Sequence, residues 1–431
     1  MTHWLPTAAL RRALVVAGLG LVLAVVFGGP VLVVLVVPFA LLGGLGLAHR
    51  PTTAPTVQSS VAHPVLHEGQ GTTSRLTLTG VEDLEQVTRV VAQAPYVALR
   101  PAGGAIAGLL RDGEGPVVEL SPRRWGRVDA GEERVGLTTR WGGYRWGPVL
   151  VSGRPMSVLP VTAPFDSRAE APQPLGLVGG YRSRRVGSGT ELAGIRPFVA
   201  GDRLRRVNWR VSLRSRELHV VDALAETDTG VLLVVDALAE VGRSGGVGGR
   251  ASSLDLTVRA AAALAEHHVR VGDRVGLRVV GGSGRVVGYG AGTRHLRVLL
   301  GALAAIRPGV PRDLPEQGLV LRAAAGTEVL ILSPLLHPVM VTTAAALTRR
   351  GLPVTVIDAL PDDVEEVGRD GGAAPELVRL AWRMRRAERD LLLERLAHTG
   401  CPVVPWRGPG TLDDVLRRLA RRAQLPVVRA R

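Results

Sequence analysis

The chain has 431 residues, 46% of them hydrophobic, and a formal charge of +15 from 53 basic and 38 acidic side chains. Its length exceeds one small domain and allows more than one core, while its single cysteine, Cys401, excludes an intrachain disulfide framework. Every basic residue is an arginine, so coding bias and inside-facing charge compete with an anionic partner as the source of the basicity.

In chain order, residues 13–48 come first, a run without a charged side chain. It is too long for one membrane crossing and suits two of ~17–25 residues. Gly28-Gly29-Pro30 can reverse the chain in its middle. This predicts a transmembrane hairpin over 8–49, with spans over 10–27 and 31–47. Arg11-Arg12 stand at the start of the first span and His49-Arg50 follow the second. Positive flanks face the cytoplasm, so the expected location is the inner (cytoplasmic) membrane, multi-pass, with cytoplasmic soluble domains. The rival reading is a signal peptide beginning at Arg11-Arg12. It calls for an apolar run of only ~7–15 residues and a small-residue cleavage site, and the sequence fits it poorly.

Residues 50–60 are rich in Pro and Thr and read as a linker. Short apolar stretches at 74–79, 86–93, 116–120, 133–139 and 148–151, separated by turn residues, predict a small all-β, sandwich-like domain over 50–165. Trp141, Tyr144 and Trp146 are read as its packing and edge aromatics; a base-stacking platform is the alternative. Residues 166–230 form an Arg-rich connector, with ten arginines and three acids between Tyr181 and Val221.

Within the connector, Arg196, Gly201, Asp202, Arg205, Asn208, Trp209, Ser212 and Arg214 fall on the pattern R-x-Y-x-x-G-D-x-x-R-x-I-[DN]-W-x-x-[ST]-A-R. Phe198 stands at its aromatic position, and Leu213 replaces its small residue. This spacing resembles the bacterial domain of unknown function 58 family. The residues themselves predict a helical turn over 203–210 capped by Asp202, with Trp209 anchoring it to the following domain. The signature residues, together with Arg210, either clamp the connector onto that domain or present a charged surface to a partner.

From residue 231 strands alternate with helices, which predicts a parallel α/β sheet. Expected strands are 231–236, 274–280, 285–289, 328–333, 352–358 and 402–404; expected helices are 254–269, 295–306, 339–350, 376–398 and 412–423. Gly281-Gly-Ser-Gly284 joins two of the strands and reads as a hairpin turn, not a phosphate loop. The family resemblance implies that 231–431 is a von Willebrand factor A-like domain. That fold holds a divalent ion at a D-x-S-x-S motif, but this chain has Asp236-Ala-Leu-Ala-Glu240. Leu238 and Glu240 replace both serines, leaving a degenerate site at Asp236 and Glu240. Asp236 is instead expected to hydrogen-bond at the strand's end.

No nucleophile–base pair, P-loop or metalloprotease motif is present, so the expectation is a non-enzymatic protein without a cofactor. The resemblance implies association with a MoxR-type AAA+ ATPase. The expected role is therefore a membrane-anchored adaptor for a protein partner, in contact with the lipid bilayer. The alternative is nucleic-acid binding through residues 181–221.

Overall fold

The computed structural model describes residues 3–80, 84–110, 112–161, 186–199, 204, 207–224, 230–282, 284–315, 318–321, 323, 327–362 and 375–406. The chain divides into two compact units, one of Met1–Leu159 with Gly246–Gly248, the other of Pro160–Gly245 with Gly249–Arg431.

The first unit begins with a two-residue strand, β1 (Leu5–Pro6), and two helices, α1 (Ala8–Phe27) and α2 (Pro30–Ala48), each long and apolar enough to cross a membrane. Gly28 ends α1 in the left-handed region (φ 63°), and Pro30 opens α2, where its missing N–H costs nothing. The helices approach closely because glycines face side chains across the seam. A Cβ at Gly43 would lie 2.8 Å from Leu14, and one at Gly46 2.8 Å from Leu10. Outward-facing Val25, Phe27 and Val34 are exposed, as a lipid-facing surface requires.

The strands that follow are β2 (Thr56–Val61), β3 (Val65–His67), β4 (Thr72–Thr79), β5 (Leu84–Val91), β6 (Val97–Arg100), β7 (Ala105–Leu109), β8 (Val118–Pro122), β9 (Gly126–Asp129), β10 (Glu133–Thr139), β11 (Tyr144–Val151) and β12 (Pro155–Leu159). They form sheets ordered β1-β11-β10-β5-β7, β2-β4-β8-β6 and β3-β12-β9. Leu76 and Leu78 of β4 pack on Val87, Val135, Leu137 and Trp146 of the first sheet, closing a core between two sheets. The linker expected over 50–60 is corrected in part, since β2 pairs along its length with β4.

Gly142 and Gly143 seat the helical hairpin on this unit. Thr7 donates its hydroxyl to the Gly142 carbonyl (2.6 Å) and its N–H to Gly143 (3.0 Å), while its Oγ1 also caps α1 by accepting from the Leu10 N–H. A Cβ on Gly143 would lie 2.9 Å from the Gly46 Cα, so only a bare α-carbon permits the contact. Tyr144 and Trp146 are buried, while Trp141 is half-exposed. The three do not form a stacking platform.

The second unit comprises β13 (Val186–Pro197), α3 (Trp209–Ser215), β14 (His219–Leu224), β15 (Gly230–Asp236), α4 (Ser253–Val271), β16 (Arg274–Val280), β17 (Val286–Gly290), α5 (Gly292–Ala304), β18 (Glu328–Ser333), α6 (Pro338–Arg349), β19 (Val354–Asp358), α7 (Pro375–His398) and β20 (Val403–Pro405). The helix expected over 412–423 lies outside the described residues. The main sheet runs β17-β16-β15-β18-β19-β20, parallel except for antiparallel β17 at one edge. Leu232, Val234, Val329, Ile331, Val354 and Val356 bury one face against Val339, Met340, Ala344 and Leu396 of α6 and α7. Leu233, Val235, Leu330 and Leu332 on the other face are equally inaccessible. Burial on both faces explains why these strands read as unbroken apolar runs.

Candidate functional site

Two places concentrate polar chemistry in the second unit. The first is the signature segment. There β13 and β14 form an antiparallel ribbon, with Arg196 opposite Val220, and α3 lies in the connection between them. Asn208 caps α3 by accepting the Val211 N–H (3.2 Å) on its side chain, and its own N–H bonds the His219 carbonyl (2.8 Å). Ser212 donates its hydroxyl to the Asn208 carbonyl (2.8 Å) and accepts the His219 N–H (2.9 Å). Asn208 and Ser212 therefore fasten the short helix to the start of β14, over the buried pair Val207 and Val220.

The helix α3 begins at Trp209 with Asn208 as its cap; residues 203–206 of the expected turn and its Asp202 cap lie, Leu204 apart, outside the described residues. One expectation is corrected. Trp209 is not an anchor, because it is 62% exposed, and Leu213 one turn later is 78% exposed. Arg210 and Arg214 are exposed beside them, and the partly buried Arg196 donates to the Pro197 carbonyl. Gly201, Asp202 and Arg205 lie outside the described residues.

The second place is the carboxyl edge of the main sheet. Strands leave β15 in opposite directions, so the crevice between β15 and β18 is the topological switch point where open α/β sheets bind ligands. Asp236 ends β15 there, buried. Its Oδ1 accepts the Leu238 N–H (2.9 Å) and its Oδ2 accepts the Ser333 hydroxyl (2.6 Å). Ser333 Oγ in turn accepts the Leu335 N–H (2.8 Å). Glu240 points elsewhere, accepting the Ser252 hydroxyl (2.6 Å) at the start of α4. One strand further along, Asp358 accepts the Leu360 N–H (3.1 Å) and pairs with the buried Arg389 of α7. Arg389 also donates Nε to the Pro334 carbonyl (2.8 Å). Nearby, burial and the Arg385 charge hold the His337 imidazole below its usual range.

These donors do not fit a divalent ion. Asp236 and Glu240 do not converge, and both oxygens of Asp236 already accept from the protein. Among the described residues, no group of three or more His, Cys, Asp or Glu side chains is placed to hold a metal.

Residues 194–380 match the family described as protein of unknown function DUF58. The matched stretch runs from within β13 into α7, so it takes in the described signature residues and the sheet edge alike. No curated protein matches the chain. The matched stretch thus takes in the described signature residues with Asp236, Ser333 and Asp358, while Arg389 and the greater part of α7 lie beyond its end.

Burial raises the Asp236 carboxyl from 3.8 to about 6, against the opposing hydrogen bonds from Ser333 and Leu238. A raised folded-state value makes its contribution to stability greatest below the unfolded value, near pH 4. That contribution is lost as pH rises through about 6. Melts of wild type and Asp236→Asn between pH 4 and pH 7 should diverge by about 2 kcal/mol, wild type gaining as pH falls. Parallel profiles would show that Asp236 is not held in a site that favours its proton.

Proposed function

We propose that the chain is a non-enzymatic, membrane-anchored docking protein. In this reading the hairpin of α1 and α2 spans the inner membrane, with both soluble units in the cytoplasm. The support is the positive charge of Arg11-Arg12 and of Arg50 at its two ends. The second unit is read as von Willebrand factor A-like, which its strand order and antiparallel edge strand support. Its partner is a protein, by the family resemblance a MoxR-type AAA+ ATPase.

The observation that carries this reading is the surface of α3. Asn208 and Ser212 do the packing, which frees Trp209 and Leu213 to face outward between Arg210 and Arg214. Exposed Trp and Arg side chains on a rigid element are the usual energetic centres of protein interfaces. The carboxylates at the sheet edge, by contrast, are occupied by partners within the chain, which favours binding over catalysis.

Co-purification of the full-length chain with the MoxR-type ATPase of the same genome tests this. The Arg210→Glu variant should recover less partner, and recovery should fall with salt, because the complementary surface is acidic. Its melting temperature should stay near wild type, since Arg210 is exposed. A well-folded Arg210→Glu protein that retains the partner at every salt concentration would remove α3 from the interface. A variant that unfolds would make the segment a clamp.

A further inference from the structure

The longest described helix, α7, carries an apolar stripe with nothing from the chain across it among the described residues. Leu377, Leu380, Met384 and Leu391 are 61%, 52%, 59% and 56% exposed, and Ala387 between them is exposed as well. Their spacing is that of a heptad seam, with Leu377, Met384 and Leu391 at a positions and Leu380 and Ala387 at d positions. The opposite side of the helix is already used: Arg389 and Leu396 are buried, and Leu392 and Leu393 pack on the sheet's core. The stripe is therefore a second apolar face on a helix whose first face is satisfied.

We infer that α7 pairs with α7 of a second copy of this chain as a short parallel coiled coil. The flanking charges select this occupant. In a parallel pair, the g residue of one heptad faces the e residue of the next heptad on the partner helix. Arg383 at g then meets Glu388 of the other copy, and Asp390 at g meets Arg395. Two-fold symmetry doubles both attractive contacts. Within one chain Glu388 bonds Arg385 (3.1 Å) across an exposed turn, a pairing that exchanges at little cost. An antiparallel pair would instead set Leu377 against Glu394. In the parallel arrangement Glu394 falls at the last d position and ends the seam.

A seam this short makes a weak contact by itself. Confinement of two copies to one bilayer raises their effective concentration and favours it. The pairing does not depend on the docking role proposed for α3.

The test is disulfide trapping of the full chain reconstituted in phosphatidylethanolamine–phosphatidylglycerol vesicles, with Cys401 replaced by Ala. Met384→Cys should cross-link to itself under mild oxidation, whereas Arg386→Cys, exposed but off the seam, should not. Adding Arg383→Glu to Met384→Cys should lower the dimer yield by about tenfold. Adding Glu388→Arg as well should restore it, because the swapped charges again attract. Equal yields from Met384→Cys and Arg386→Cys would overturn the pairing, as would an unchanged yield in the charge variants. If Met384→Cys neither cross-links nor reacts with a water-soluble maleimide, the stripe is covered by the chain's own residues 407–431, and the inference fails.

Discussion

Replacing Arg89 with methionine should destabilise the first unit by about 3–5 kcal/mol, far more than its position in a surface-type sequence suggests. Arg89 and Glu133 are 0% and 1% exposed in the core between β5 and β10 on one side and β4 on the other. The guanidinium grips the carboxylate with two bonds, Nε to Oε2 (3.0 Å) and Nη2 to Oε1 (2.7 Å). Its remaining donors reach the Ser74 and Pro116 carbonyls, and the Ser59 and Ser74 hydroxyls complete the carboxylate's shell. Methionine fills much of the volume but leaves Glu133 as an uncompensated buried charge. Hydrogen exchange should report the loss as a drop of roughly 10²–10⁴-fold in the protection of β5 and β10. The double variant Arg89→Met/Glu133→Leu should recover much of it, because removing both partners also removes the cost of burying them. If Arg89→Met alone leaves protection unchanged, the pair is not closed in solution.

Arg389→Leu should cost the second unit about 3 kcal/mol. The arginine is 8% exposed and ties the middle of α7 to two neighbouring strand ends, through the Pro334 carbonyl after β18 and the Asp358 carboxylate of β19. Leucine keeps the apolar stem's packing but leaves a largely buried carboxylate without its cation. Arg389→Lys preserves the charge and loses the fork, so it should cost less than Arg389→Leu. Thermal melts of the two variants, read together with exchange in α7, check this. Equal melting temperatures for wild type and Arg389→Leu would mean that α7 is held by its apolar face alone.

The α/β half was the more legible in the sequence. Strands 274–280 and 328–333 coincide with β16 and β18; in β18 this is because a strand buried on both faces is an apolar run with sharp ends. The β half was harder. Residues 56–61 looked like a linker because Thr, Ser and Gln fill β2, an edge strand whose identity comes from its pairing with β4. Arg89 was visible in principle, since it shares strand parity with the buried Val87 and Val91. An arginine on the inward side of a strand signals a buried partner, yet nothing local says which acid supplies it. In the signature the motif marked the right segment, but the anchoring role read for Trp209 does not hold. A large aromatic is expected to anchor. Here Asn208 caps, the serine at 212 fastens, and Trp209 is left outside.

In the proposed function, this outward face of α3 is where a partner docks. The most direct test of that role is the affinity of the full chain, reconstituted in lipid nanodiscs, for the purified MoxR-type ATPase, with wild type compared against Trp209→Ala/Leu213→Ala. Loss of an interface centre of this kind weakens binding by roughly 30-fold or more, and the variant should melt within a few degrees of wild type because both side chains are exposed. Equal affinities for wild type and a folded double variant would place the docking surface away from α3.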